Sequence, residues 1–407
     1  MLLRNFWLPC LMALGLAAPG LAQIGEGETT GPALNSPTNI PHGEAGSGYW
    51  AARLGFYDKD DPGEGNPFVD ESVTVIEPVL IYDFQATEDF GYHIQLSYDH
   101  VSSASIERLS KIQPFTAPYT DAQSGASGDN YVGLDASFRH KLAPDLNANW
   151  HAGFSFEYDY FSVGLGGGLS KTLEPADAVV SANLNAYFDQ LKLIRWSGVD
   201  EGTDNRTSIA ATLSWYQVVN PSTHGELGLT VSAQSGFLES PINSVVQTDP
   251  SYAANPNLVG NVQGVEFDEQ LPDNRLRTAL YGTVRHALND VSAIELGARI
   301  YNDDWGISAF DVTPKYIRQF DNGMLWDVRM RYYDQSAADA YQASYTGTGP
   351  LPDERTQDSE LAKFDSTLFG THLRWGKQAT WDFGVDFLSR SDGLDHLFFS
   401  IGWKEGF

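Results

Sequence analysis

Cysteine is almost absent from this chain of 407 residues, and its one cysteine, Cys10, lies close to the start. That start is basic at Arg4, apolar from Phe6 to Ala18 and rich in small residues up to Ala22, which is typical of a secretory signal peptide. We therefore predict that residues 1–22 are removed on export. The mature chain then contains no thiol, which excludes disulfide bonds, thiolate metal sites and cysteine nucleophiles.

Long apolar runs and basic residues are also scarce. After the predicted signal peptide, no stretch approaches the ~18 continuous apolar residues of a membrane-spanning helix. The chain has 25 Lys and Arg against 53 Asp and Glu, a net charge of −28, and phosphate repulsion therefore excludes non-specific binding of nucleic acid. The nine histidines form no close pair on one predicted face, so we predict neither a metal site nor a cofactor.

Short runs of alternating apolar and polar residues are what the chain has in abundance. In its last stretch, Leu397, Phe399, Ile401 and Trp403 alternate with small or polar residues, which is the period of a β-strand. This stretch ends on Phe407 and resembles the terminal strand of bacterial outer-membrane β-barrels. The resemblance implies that the barrel-assembly machinery reads Phe399, Ile401, Trp403 and Phe407, after periplasmic chaperones have delivered the chain.

Sixteen such runs follow one another after a flexible, polar segment at residues 23–46. They are Ser47–Tyr57, Val73–Gln85, Phe90–Val101, Tyr131–Lys141, Asn147–Tyr160, Ser162–Leu173, Ala178–Phe188, Arg206–Gln217, Glu226–Gln234, Arg275–His286, Val291–Tyr301, Ser308–Phe320, Met324–Asp334, Leu361–Trp375, Thr380–Leu388 and His396–Lys404. Repeated runs of this kind predict an all-β protein, a transmembrane outer-membrane β-barrel of about 16 antiparallel strands that occupies residues 47–407.

The lengths of the connections support the barrel and orient it. If both termini are periplasmic, the periplasmic connections are all short, and the long ones lie on the outer side: Ser102–Asn130, Ser235–Asn274 and Gln335–Glu360. This asymmetry is typical of outer-membrane barrels. The third outer connection, near Asp159–Ser162, is very short. If the chain is a porin, the long fifth connection, Ser235–Asn274, must therefore narrow the pore.

Several motifs resemble those of a known family. They are Arg299-Ile-Tyr-Asn-Asp-Asp-Trp-Gly-Ile-Ser308, Met330-Arg-Tyr-Tyr-Asp-Gln-Ser-Ala-Ala-Asp-Ala-Tyr341, Ser235-Gly-Phe-Leu-Glu-Ser-Pro-Ile-Asn-Ser-Val-Val246 and Glu157-Tyr-Asp-Tyr160. Together they resemble an uncharacterised family of Gram-negative outer-membrane barrel-like proteins, a domain of unknown function of about this length. The resemblance implies export and a barrel. It implies no catalytic residues and no substrate.

Six arginines are predicted on the inner face of the barrel: Arg275, Arg277, Arg285, Arg299, Arg329 and Arg331. Their alternation partners are apolar, and a charge on the lipid face costs about 2–4 kcal/mol at the membrane midplane, so the arginines belong in the lumen. One interpretation is a cationic wall that selects anions. The other is that they form ion pairs with lumenal Glu157, Asp159, Glu295 and Asp327 and fill the barrel.

Other carboxylates give weaker signals. Glu157 and Asp159 are predicted on one face of a strand, and paired carboxylates can perform acid–base catalysis, but no nucleophile motif accompanies them. Asp303 and Asp304 lie in a predicted outer turn, where Asp is an ordinary turn former rather than a calcium ligand. The neighbouring Trp305 is predicted in the aromatic girdle at the membrane interface.

The sequence therefore predicts a non-enzymatic outer-membrane channel for passive passage of small polar or anionic solutes. The alternative is a scaffold barrel, plugged by its own ion pairs, whose long outer loops bind an unknown surface or periplasmic partner. An outer-membrane hydrolase is a third possibility. In each case the predicted surroundings are outer-membrane lipid and lipopolysaccharide, whose phosphates the acidic loops can approach through divalent cations.

Overall fold

A computed structural model describes residues 43–60, 73–103, 130–241, 243–255, 258, 262–376 and 379–407. The predicted signal peptide and most of the segment 23–46 lie outside these residues. Sixteen strands form a closed antiparallel barrel, as predicted. They are β1 (Gly48–Asp60), β2 (Val73–Gln85), β3 (Phe90–Ser103), β4 (Asn130–Ala143), β5 (Leu146–Phe156), β6 (Tyr160–Leu173), β7 (Ala178–Ile194), β8 (Asp200–Asn220), β9 (Thr223–Gly236), β12 (Asn274–Asn289), β13 (Ser292–Asp303), β14 (Ser308–Gln319), β15 (Leu325–Gln335), β17 (Phe364–Gly376), β18 (Ala379–Arg390) and β19 (Asp395–Gly406).

The barrel closes by pairing its first strand with its last. Arg53 in β1 lies opposite Gly402 in β19, and Leu54 lies opposite Ile401. Every other barrel strand pairs with the barrel strands before and after it along the chain. Closure leaves no barrel strand with an unpaired edge, which satisfies the backbone hydrogen-bonding groups within the sheet. Among the described residues, no helix is long and apolar enough to cross a membrane.

Alternation of side chains separates the two faces of the wall. Outward-facing Leu184, Leu213 and Ile300 are exposed by 57%, 59% and 57%, whereas the polar side chains that alternate with such residues face the lumen. Because successive strand residues point to opposite faces, this period-two pattern alone divides an apolar outer surface from a polar lumen.

Two prolines inside strands are accommodated by gaps in the ladder. Pro78 keeps its position opposite Leu54 of β1, but the register between β2 and β3 passes from Ile76 directly to Val79. Pro314 is opposite Leu296 of β13 and is likewise passed over in the pairing of β14 with β15. A proline cannot donate a backbone hydrogen bond, so the strand loses pairing on one side only.

One predicted strand is too long. The run Asn147–Tyr160 continues to alternate through a hairpin, but β5 ends at Phe156 and β6 begins at Tyr160. Glu157, Tyr158 and Asp159 form the connection, in which the Glu157 backbone N–H donates to the carbonyl of Tyr160. The prediction that Glu157 and Asp159 lie within a strand is therefore wrong. An alternating pattern of apolar and polar residues can continue through a hairpin and gives no sign that the chain reverses direction.

The long outer connections contain structure that the sequence pattern did not predict. Strands β10 (Ser244–Thr248), β11 (Gly264–Asp268) and β16 (Tyr345–Thr346) form a separate three-stranded sheet in the order β11–β10–β16. A 3-10 helix at Ser359–Leu361 follows, with Asp358 as its N-cap. We call the described residues of 237–273 and 336–363 the cap.

The cap has its own hydrophobic core. Six buried side chains form it: Leu238, Leu271, Trp305, Ile307, Ala338 and Leu361. Trp305 is 5% exposed, so its predicted place in an interfacial girdle is wrong. The reason is local: the Asp303 carboxylate accepts the backbone N–H groups of Trp305 and Ile307, at 3.1 and 2.8 Å, and the resulting turn brings the indole into the cap.

Candidate functional site: the barrel lumen

The predicted arginines lie on one side of the barrel, on β12, β13 and β15. Arg275 and Arg285 are 2% and 5% exposed, whereas Leu276 and Val284, which alternate with them, are 48% and 53% exposed on the outer face. Alternation therefore directs the guanidinium groups towards the lumen.

Most of these arginines bind a carboxylate on a nearby strand. Arg275 donates to Asp303 at 2.6 Å, and Arg285 donates to Glu295 at 2.7 Å. Arg299 donates to Asp311 at 2.7 Å. Arg329 donates through Nη2 to both oxygens of Asp386 at 2.8 Å. Charge-assisted bonds of this geometry are stronger than neutral ones, so they fix the arginines against the wall.

Among the four carboxylates predicted to pair with these arginines, Glu295 binds Arg285, whereas Asp327 lies 3.7 Å from Lys315. Glu157 and Asp159 lie in the β5–β6 connection, and β5 is eight strands away from β15 around the barrel. Asp303, Asp311 and Asp386 were not predicted. Cross-strand register could have indicated two of them, since Arg277 is opposite Asp303 and Arg299 is opposite Asp311.

Glycines allow several lumenal side chains to lie flat along the wall. Arg329 on β15 reaches across Gly370 on β17 to Asp386 on β18; a Cβ at Gly370 would lie 1.8 Å from Asp386 Oδ1. Arg139 on β4 likewise reaches across Gly91 on β3 to Asp83 on β2, with two bonds of 2.7 and 2.8 Å. These bridges run around the barrel rather than across it.

The same arrangement recurs with neutral and imidazole groups. His151 Nε2 on β5 is 2.9 Å from Asn185 Oδ1 on β7, and a Cβ at the intervening Gly166 would meet both atoms at 2.1–2.2 Å. His151 Nδ1 also lies 3.3 Å from Asp135. Glycine is thus required where a long lumenal side chain must cross an intervening strand.

Two carboxylates lie on the opposite side of the barrel from the arginines. Glu77 on β2 and Asp99 on β3 are eight strands away from β12 and β13, respectively, which is half of the circumference. Glu77 Oε1 and Asp99 Oδ1 are buried and have no hydrogen-bond partner among the described residues. Glu77 and Asp99 therefore place two acidic groups on the wall opposite the arginine–carboxylate pairs.

The cap lies on the lumenal side of the outer strand ends. Lumen-facing Tyr301 packs against the cap core, and the guanidinium of lumen-facing Arg275 lies 4.2 Å from the ring centroid of Trp305. Arg390, at the outer end of β18, forms an ion pair with Glu360 of the cap at 2.5 Å. Loops that contact lumen-facing side chains must fold inwards, so the cap narrows the outer mouth beside these strands.

Hydrogen bonds join the two loops of the cap into one unit. Gln270 and Arg355 exchange two backbone bonds of 3.0 and 2.7 Å, and the Val246 N–H donates to the Gln357 side chain at 2.6 Å. The cap is also tied to the β7–β8 connection, where Arg195 lies 3.1 Å from Glu239 and Trp196 Nε1 donates to Asp268 at 2.8 Å.

A buried carboxyl group links the two loops at the centre of the cap. Glu269 is 1% exposed, and it accepts hydrogen bonds from the Thr356 hydroxyl at 2.5 Å and from the Ser240 N–H at 2.9 Å. Burial, followed by the nearby charge of Asp358, raises the pKa of Glu269 to about 8. The neutral acid is therefore the form that fits the closed cap near pH 7.

The other predicted site residues occupy the closing strand. Ile401 is 36% exposed on the outer face of β19, which it shares with Phe399 and Trp403. The ring of Phe407 stacks on Tyr82 and Phe84 of β2, at centroid distances of 6.1 and 6.2 Å. Their role as an assembly signal stays a prediction. Within the described ranges, no group of three or more His, Cys, Asp or Glu side chains could hold a metal ion.

Comparison with solved structures finds similar barrels among outer-membrane proteins. The chain is similar to the CymD monoaromatic hydrocarbon channel, with 9% identity, a TM-score of 0.41, and coverage of 97% of this chain and 94% of that one. It is similar to OccK1 (OpdK) of Pseudomonas aeruginosa, with 9% identity, a TM-score of 0.40, and coverage of 90% and 100%. It is also similar to the siderophore receptor PirA of Acinetobacter baumannii, with 8% identity, a TM-score of 0.44, and coverage of 86% and 53%.

The chain thus spans about half the length of the siderophore receptor that it matches. No curated protein matches it by sequence. The family model described as "Protein of unknown function (DUF3570)" matches residues 180–392, which include the cap and all six predicted arginines. Because this match covers more than half of the chain, the protein belongs to the DUF3570 family.

Proposed function

We propose that this protein spans the outer membrane and provides a passive channel for small polar solutes. The outer face of the barrel supports the membrane location, because large apolar side chains such as Leu213, Leu227 and Val284 are more than half exposed there. Such a surface is stable when lipid covers it and is a liability in water.

The observation that carries the channel proposal is the direction of the lumenal side chains. Sixteen-stranded barrels are wide enough to enclose an aqueous bore. In this barrel, the pairs Arg329–Asp386 and Arg139–Asp83 bridge strands along the wall, over glycines, and so do not themselves cross the axis of the barrel. The inward fold of the cap then limits the size of the solutes that enter.

The same proposal gives the orientation and surroundings of the barrel. Both termini face the periplasm, the cap faces outwards, and lipopolysaccharide and phospholipid cover the apolar belt. We infer that the assembly machinery recognises Phe399, Ile401 and Trp403 on the last strand and Phe407, which follows it.

Single-channel conductance of refolded residues 23–407 in a planar bilayer tests the proposal. We expect steady open steps, together with swelling of proteoliposomes in small sugars. A preparation that runs as a folded barrel on unheated gels, yet conducts no current and admits no solute, contradicts the proposal.

The cap favours a second candidate, a barrel that binds a surface partner. Its separate sheet and the paired residues Gln270 and Arg355 give the outer loops a defined shape. Removal of the cap loops distinguishes the two functions: a channel then conducts more current, whereas a binding barrel without a channel stays silent and loses its partner.

A further inference from the structure

Two arginines share a single carboxylate on the wall below the cap. Asp311 on β14 accepts a bond of 2.7 Å from Arg299 on β13, and its other oxygen lies 3.9 Å from Arg331 Nε on β15. The second distance is too long for a hydrogen bond. One negative charge therefore faces two guanidinium groups.

Arg331 retains hydrogen-bonding capacity after these contacts. Its Nη2 atom is buried and has no hydrogen-bond partner among the described residues. Its guanidinium carbon lies 5.1 Å from the ring centroid of Tyr333, which holds the side chain against the wall. A buried guanidinium N–H without a partner is costly, and an anionic oxygen is its best acceptor.

The neighbouring carboxylate is already engaged by other groups. Asp303 on β13 already accepts bonds from Arg275, from the Tyr301 hydroxyl and from the backbone of Trp305 and Ile307. Arg277 lies opposite Asp303 on β12 and adds a further positive charge to the same region of the wall.

The arginine pair is reachable from the lumen. The side chains of Arg299 and Arg331 are each 13% exposed, in contrast to 2% for Arg275 beneath Trp305. Both lie about four residues from the outer ends of their strands, directly below the level of the cap. A solute that passes the cap therefore meets this pair first.

We propose that Arg299 and Arg331 form a binding subsite for one carboxylate or phosphate group of an anionic solute. The Arg331 guanidinium donates to the anion after a side-chain rotation that brings its buried Nη2 atom to the lumen, while Asp311 holds Arg299 in position. This inference rests on the proposed channel, and it deepens it by naming anions as the solutes that the channel binds.

Calorimetric titration of the folded full-length mature protein in detergent with inorganic pyrophosphate, at low ionic strength, tests the subsite. We expect one site in the wild type and about tenfold weaker binding in Arg331→Gln, which loses one charge-assisted hydrogen bond. The matched control is the double variant Lys315→Gln, Asp327→Asn, on β14 and β15, the strands of Asp311 and Arg331. Removing this balanced pair, 3.7 Å apart, should leave affinity unchanged within about twofold.

Equal affinity of pyrophosphate for the wild type and Arg331→Gln overturns the subsite. Equal weakening in the control double variant also overturns it, because the anion would then respond to the overall charge of the lumen and not to one site. Absence of binding in a wild type that conducts current also overturns it, and leaves the channel intact. Binding that depends on Arg331 in a barrel that conducts no current supports the subsite and contradicts the channel instead.

Discussion

The two sides of the barrel line the lumen with different polar side chains. The capped wall, formed by β12 to β15, β17 and β18, holds charged pairs such as Arg285–Glu295 and Arg329–Asp386. The open wall, formed by β4 to β9, also holds charged pairs, such as Arg206–Asp189 at 2.9 Å, together with hydroxyl pairs such as Thr212–Thr230 at 3.0 Å. Both walls are polar; the cap contacts Arg275 and Arg390 of the capped wall and is also tied to the β7–β8 connection.

This difference suggests why charge and cap occur together. Arg275 and Arg390 use guanidinium groups both to bind carboxylates and to contact cap residues, through Trp305 and Glu360. Threonine and asparagine side chains are too short to do both. The arginines of the capped wall therefore stabilise the cap and also line the bore.

Replacement of Trp305 by alanine should have the largest effect, a loss of cap stability on the capped wall. The indole fills the cap core and donates to the Asn274 carbonyl at 2.9 Å, so its loss should cost about 3–5 kcal/mol in cap stability. We expect the cap to become sensitive to limited proteolysis and the conductance to rise. Trp150→Ala, on the outer face of β5 and 48% exposed, is the control and should leave the cap protected.

Substitution of Gly370 and Gly166, the glycines over which lumenal side chains reach, compares the capped and open walls directly. Gly370→Ala places a Cβ 1.8 Å from Asp386 Oδ1 and should displace the Arg329 bridge, at a cost of about 1–3 kcal/mol. Gly166→Ala should disturb only the His151–Asn185 contact and cost less. Gly297→Ala, where the nearest atom is 3.7 Å away, is the neutral control. Urea unfolding in lipid vesicles measures all three, and an equal loss at Gly297 contradicts the bridging role.

The sequence predicts the barrel well because its signal is local. Alternation in runs such as Phe90–Val101 depends only on neighbouring residues, and all sixteen strands could be recognised in this way. The cap was missed because β10 and β11 have only five residues each, and because the pairing of β10 with β16 joins segments almost a hundred residues apart. The arginines could be assigned to the lumen, but partners such as Asp386 lie two strands away, across a glycine.

The charge of Glu269 should make the stability of the cap sensitive to pH. Its pKa is raised to about 8 in the closed cap, by burial and by Asp358, and returns to about 4.5 when the cap opens. The closed state then binds more protons, so cap stability should fall as the pH rises from about 4.5 to about 8 and then level off.

Hydrogen exchange of the cap amides, corrected for the intrinsic effect of pH, measures this dependence. Glu269→Gln keeps a polar group of the same shape at this position, without a charge, and should flatten the profile over this window. A wild-type cap that is equally protected at pH 5 and pH 8 contradicts the buried neutral acid.

The smallest effect should come from the carboxylates that face the arginines across the bore. The double variant Glu77→Gln, Asp99→Asn removes two acidic groups from the wall opposite the arginines, while Arg299 and Arg331 remain. Each carboxylate has an oxygen without a hydrogen-bond partner, so the amides should be tolerated and the barrel should fold normally. The reversal potential in a salt gradient should shift modestly towards anions, because water and salt screen charges across the bore. No shift, or a shift towards cations, would mean that ion selectivity does not depend on the charges of both walls. Ion selectivity would then depend on direct contact with the arginine pair alone.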